Sequence, residues 1–81
     1  MKPTEARDRI LKILKSINDE KLRIKALKAA LDYFKTTSIV EKKIYRARVL
    51  TFYSMWLDKV GSRDKKQRMM ILRQLLFAVR K

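Results

Sequence analysis

The chain has no cysteine and no histidine, and only one glycine and one proline in 81 residues. Without cysteine there is no disulfide and no thiolate nucleophile. Without cysteine or histidine, the soft metal ligands and the commonest general base at neutral pH are missing. A single glycine cannot build a glycine-rich loop that cradles phosphates. The tyrosines and serines have no evident base beside them to activate a hydroxyl. Acids are scarce too: Glu5, Asp8, Asp19, Glu20, Asp32, Glu41, Asp58 and Asp64 stand against 22 Lys and Arg. Most of them fall in the first turn of an expected helix or next to a cation, where capping accounts for them. None makes the inward-facing helical pair that a di-metal bundle uses. These absences predict a protein that is not an enzyme and that needs neither metal nor cofactor. No apolar run approaches the ~20 residues of a membrane span. Residues 1–9 are too charged for a signal peptide. The expected setting is cytoplasmic and soluble.

The pattern that is present is helical. Residues 49–57 form the longest nearly apolar run and hold the only tryptophan, Trp56. They lie inside a segment with start and stop signals. Ser38 and Glu41 have capping-box spacing, and Gly61 stands where a left-handed C-cap residue belongs. On a helix over 39–60, Tyr45, Val49, Phe52, Trp56 and Val60 share one stripe, flanked by Leu50, Tyr53 and Leu57. Val40, Ile44, Ala47 and Met55 fall on another side. A helix apolar on two sides is expected to be buried against more than one neighbour. This helix is therefore placed at the centre of the fold.

Three further helices are expected over 4–17, 19–35 and 63–80. Thr4, Asn18 and Ser62 are the expected N-caps. The first helix presents Ala6, Ile10, Ile13, Leu14 and Ile17 to the core. Glu5/Arg9 and Asp8/Lys12 stand at ion-pair spacing on its outer face. In the second, Ile24, Leu27, Leu31 and Phe34 read as the core stripe. Leu22, Ala26, Ala29 and Tyr33 form a second, small-residue stripe, along which another helix is expected to approach closely. In the fourth, Met69, Ile71, Leu72, Leu75, Leu76 and Val79 make a broad core face. Short loops make neighbouring helices antiparallel. The fold class is all-α: a small, mostly antiparallel four-helix bundle in a single domain spanning the 81 residues.

The formal net charge of +14 is far beyond what solubility requires in a chain of this size. High Lys, Arg and Ile with a single Asn is also a thermophile-like composition, which accounts for part of the excess. The rest implies a polyanionic partner that relieves self-repulsion. Lys21, Lys25, Lys28 and Lys35 line one face of the second helix. Lys42, Lys43, Arg46 and Arg48 cluster in the first turns of the third. Arg63, Lys66, Arg73 and Arg80 share a face of the fourth, with Met70 and Phe77 among them. A helix that buries Leu72 and Val79 cannot bury Met70 and Phe77 against the same neighbour. These two residues are the expected partner or dimer contact.

Lysine on a long stem suits backbone phosphates, and arginine can fork onto phosphate or a base edge. Phe77, Tyr33 and Tyr45 are the expected rings for stacking on single strands. A helix-turn-helix centred on Gly61 is a weaker match, because the preceding helix is too long for a compact motif. The leading expectation is a non-catalytic nucleic-acid-binding protein, DNA or RNA, that grips phosphates with basic helix faces and dimerises through Met70 and Phe77. The second is a small basic interaction module of the adaptor, inhibitor or immunity type, binding an acidic protein. The third is peripheral attachment to an anionic membrane.

Overall fold

The computed structural model describes residues 1–79, which form four helices: α1 (Pro3–Lys15), α2 (Glu20–Lys35), α3 (Ile39–Lys59) and α4 (Lys65–Ala78). Arg80, the last expected cation of the fourth helix, lies outside the described residues. The helix ends follow local chemistry more than the nearest hydroxyl. Pro3, with its fixed φ and missing N–H, takes the first turn of α1, so Lys2 is the N-cap and Thr4 is already helical. Asp19, not Asn18, caps α2, its carboxylate accepting from the Leu22 N–H at 3.0 Å. At α4 the N-cap is Asp64, and Ser62 donates to its carboxylate at 2.6 Å instead of capping the helix.

At α3 half of the capping box forms. Ser38 Oγ accepts from the Glu41 N–H at 3.3 Å, while the Ser38 N–H donates to Thr36 Oγ1 at 3.2 Å. Gly61 closes α3 with a φ of 67°. The Ser62 N–H donates to the Leu57 carbonyl and the Gly61 N–H to the Asp58 carbonyl, the two bonds of a Schellman motif.

Successive helices run antiparallel, and α1 closes the ring against α4, so the bundle is a square whose diagonal pairs scarcely touch. One core draws on all four helices. From α1 it takes Ala6, Ile10 and Leu14, with Ile17 just beyond, as the stripe predicts. The expected Glu5/Arg9 and Asp8/Lys12 ion pairs do not form among the described residues.

In α2 the small-residue stripe packs against a neighbouring helix as its composition predicts, while the expected core stripe stays largely outside. Ala26, Ala29, Ala30 and Tyr33 are buried, while Ile24 is 56% exposed, Leu31 is exposed, and Leu27 and Phe34 are half-buried. The alanines let α3 come close along the length of α2, and this close approach fixes which side faces inward. Tyr33 is thereby buried and is not an exposed stacking ring. Its hydroxyl donates to the Leu76 carbonyl at 2.6 Å, across the diagonal of the square. That carbonyl lies in the last turn of α4, where helix carbonyls lack partners within the helix.

α3 is not enclosed as expected. Val49, Tyr53, Trp56 and Leu57 are buried, with Tyr45, Leu50 and Phe52 half-buried beside them. The second apolar side stays in solvent: Val40 is 68% exposed, and Ile44, Ala47 and Met55 are exposed below it. Val60, expected in the inner stripe, sits at the C-cap and is exposed. The cause is topological. A square gives each helix two neighbours on its inner side, and among the described residues no fifth element covers the outer one. In α4, Leu72, Leu75, Leu76 and Val79 are buried, Met69 is half-buried, and Ile71 turns outward towards α1. No helix among the described residues is long and apolar enough to cross a membrane.

Candidate nucleic-acid interface

Most of the expected cations are exposed on α2, α3 and α4. Lys21, Lys25, Lys28 and Lys35 are all exposed along α2. On α3, Lys43 is exposed, and Lys42 and Arg46 are half-buried. Arg63 precedes α4, and Lys66 and Arg73 stand exposed on it. None of these ten takes part in the three ion pairs among the described residues: Lys59 with Asp19, Lys65 with Asp58 at 2.7 Å, and Arg68 with Asp64 at 3.1 Å. All three lie at the end of the bundle that holds the α1–α2 and α3–α4 loops. There the Lys59 ammonium, followed by the Leu22 N–H, holds the Asp19 carboxyl below its ordinary range. The Ser62 hydroxyl, followed by Arg68, does the same for Asp64. Three of the eight acids are thus paired at one end of the bundle.

Three depressions gather these residues. The first, of about 340 Å³, sits where α2 ends and α3 begins, and it brings Lys42, Lys43 and Arg46 together with Tyr33 and Phe77. The second, of about 410 Å³, runs between α3 and α4 and joins Lys43, Arg46 and Arg73 along Leu50 and Phe77. The third, of about 510 Å³, lies between α2 and α3 and joins Lys25, Lys28 and Arg48 with Tyr45 and Phe52, but also includes Asp32. Lys21, Lys35, Arg63 and Lys66 are exposed but line none of the three.

Arg48 belongs to the third groove. It was visible in the cation cluster of residues 42–48, but it lies on the α2 side of α3, away from Lys43, so the charge pattern alone does not assign it. Aromatic rings hold several cations in place. The Arg46 guanidinium lies 4.7 Å from the Phe77 ring centre, Arg48 lies 5.8 Å from Tyr45, and the Lys42 ammonium lies 6.0 Å from Tyr33.

Met70 and Phe77 are exposed among the α4 cations as the spacing requires, Met70 at 58% and Phe77 at 44%. Phe77 carries Arg46 on its face, so its outer surface is cationic as well as apolar. Among the described residues no group of three or more His, Cys, Asp or Glu side chains could hold a metal ion. The structure is an all-α four-helix bundle. No protein-family model, curated protein or solved structure matches this chain.

Proposed function

We propose that the chain binds nucleic acid without catalysis, holding backbone phosphates with the cations of α2, α3 and α4. The observation that carries this is the set of cations left without a carboxylate: the ten take part in none of the ion pairs among the described residues, and Lys43, Arg46 and Arg73 line one groove together. Exposed cations at this density release counterions when they meet a polyanion. Cations resting on Tyr45 and Phe77 provide flat, charged surfaces of the kind that stack with bases.

The test is binding to duplex DNA, single-stranded DNA and structured RNA, read by fluorescence anisotropy across a salt series. If about five to nine phosphates are neutralised, log K should fall against log salt with a slope on the order of −4 to −8. Lys25→Glu with Lys28→Glu, and separately Arg73→Glu, should weaken binding while the circular dichroism spectrum stays helical. Folded variants that bind as tightly as the parent would remove these ridges from the site.

A second reading has its own observation. The exposed Val40, Ile44, Ala47 and Met55 stripe is more than phosphate contact requires, and with Met70 it offers apolar anchors to an acidic protein partner. Such binding would tolerate salt better and would fail on Ile44→Ser while surviving Lys25→Glu. A homodimer through Met70 and Phe77 would have to bring two strongly basic surfaces together, so it should form only when polyanion is present.

A further inference from the structure

Within that nucleic-acid reading, the three depressions are not equivalent. The groove between α2 and α3 includes the carboxylate of Asp32. The pocket at the start of α3 and the α3–α4 groove include no carboxylate. These two share Lys43, Arg46 and Phe77, so they are continuous across the Arg46–Phe77 stack.

The pocket at the start of α3 is the more enclosed of the pair and converges three cations, Lys42, Lys43 and Arg46. Two of them are positioned by rings, Lys42 by Tyr33 and Arg46 by Phe77. The Tyr33 ring is in turn fixed by its hydroxyl bond to the Leu76 carbonyl. Its volume of about 340 Å³ is at the small end of ligand sites, room for a charged group with little attached to it.

The geometry points to a phosphomonoester site: the pocket takes the terminal phosphate of a strand, and the next nucleotides follow the α3–α4 groove towards Arg73. Charge selects the group. An internal phosphodiester carries one negative charge, whereas a terminal phosphate carries about −1.5 to −2 at neutral pH. Three converging cations in a recess favour the more highly charged group, and a recess at the end of a groove admits a chain terminus more readily than a continuing backbone. A free phosphate or mononucleotide has the same chemistry, and the experiment separates these sources.

One short single-stranded oligonucleotide is prepared with a 5′-phosphate, with a 3′-phosphate and with hydroxyl ends. Each is titrated at fixed salt, and each is then competed with inorganic phosphate and with a nucleoside monophosphate. One of the phosphorylated strands should bind roughly tenfold tighter than the hydroxyl-ended strand. The preference should shrink below about pH 6, where the second phosphate ionisation is lost. Lys42→Gln with Lys43→Gln should abolish the preference. Lys25→Glu with Lys28→Glu should lower all three affinities and leave the preference intact.

Equal binding of all three strands, with no competition by inorganic phosphate, overturns the pocket assignment and leaves the nucleic-acid reading standing. If no strand binds but inorganic phosphate or the monophosphate raises the melting temperature of the parent and not of the Lys42/Lys43 variant, the pocket stands and the nucleic-acid reading falls.

Discussion

At the scale of single residues, two long-range hydrogen bonds do what the helix pattern cannot. Trp56 is almost fully buried, and its indole N–H donates to Asn18 Oδ1 at 2.7 Å, tying α3 to the α1–α2 loop. This explains why Asn18 is not the α2 cap: its side chain is used elsewhere, and Asp19 next to it takes the cap. Trp56→Ala removes a large core side chain together with that tie, and it should cost roughly 3–5 kcal/mol in denaturant unfolding. A small effect would mean that the core does not depend on this ring. Tyr33→Phe removes only the hydroxyl that donates to the Leu76 carbonyl. Because that carbonyl is in the buried end of α4, the loss should be about 1–3 kcal/mol by thermal or urea melting, with the fold intact. The same variant keeps the ring wall of the phosphate pocket, so its effect on strand binding should be much smaller than its effect on stability.

At the scale of elements, α3 and α2 show what periodicity can and cannot decide. The existence and order of all four helices follow from apolar spacing, with Gly61 ending α3, while of the expected N-caps only Ser38 holds. Periodicity identifies faces, but a helix with two apolar faces does not say which one has a neighbour. In α2 close packing along the small-residue stripe was legible, but Ile24 and Leu31 of the other stripe, read as core, are exposed because the alanine face takes the neighbour. In α3 both faces were expected to be buried, and the square supplied neighbours for one. The cation lines were legible because exposed residues need no partner to be placed. The pocket was not, since it joins residues of α2, α3 and α4 that no sequence spacing relates. If the outer stripe of α3 contributes nothing to the core, Val40→Ser with Ile44→Ser should change stability by no more than about 0.5 kcal/mol in urea unfolding. A loss of several kcal/mol would show that this face is covered in solution, by a second copy or by another part of the fold.

At the scale of the whole molecule, charge sets the terms of stability as well as of binding. At neutral pH the chain carries +14, and protonating its eight acids would take it towards the +22 of its Lys and Arg. Two effects then act in the same direction on acidification, and they can be separated. The first is local. Asp19 and Asp64 have folded-state pKa values below the ordinary 3.8, so the unfolded chain binds their protons more readily. Their contribution is complete above 3.8 and is lost as pH falls through the lower folded values. The second is global: rising like charge repels itself throughout the compact state. Added salt screens the repulsion over about 10 Å at 0.1 M. Melting temperature should therefore hold between neutrality and about pH 5 and fall below pH 4. Raising the salt at low pH should restore part of the loss. Asp19→Asn should be less stable than the parent at neutral pH and should converge with it in acid, because the Lys59 contact is absent from the variant at every pH. Curves for parent and variant that coincide at every pH would show that the Asp19–Lys59 contact contributes nothing to folding. The same repulsion makes a polyanion a stabilising ligand. A saturating strand should raise the melting temperature at low salt, and the gain should disappear in the salt range where anisotropy shows the complex dissociating.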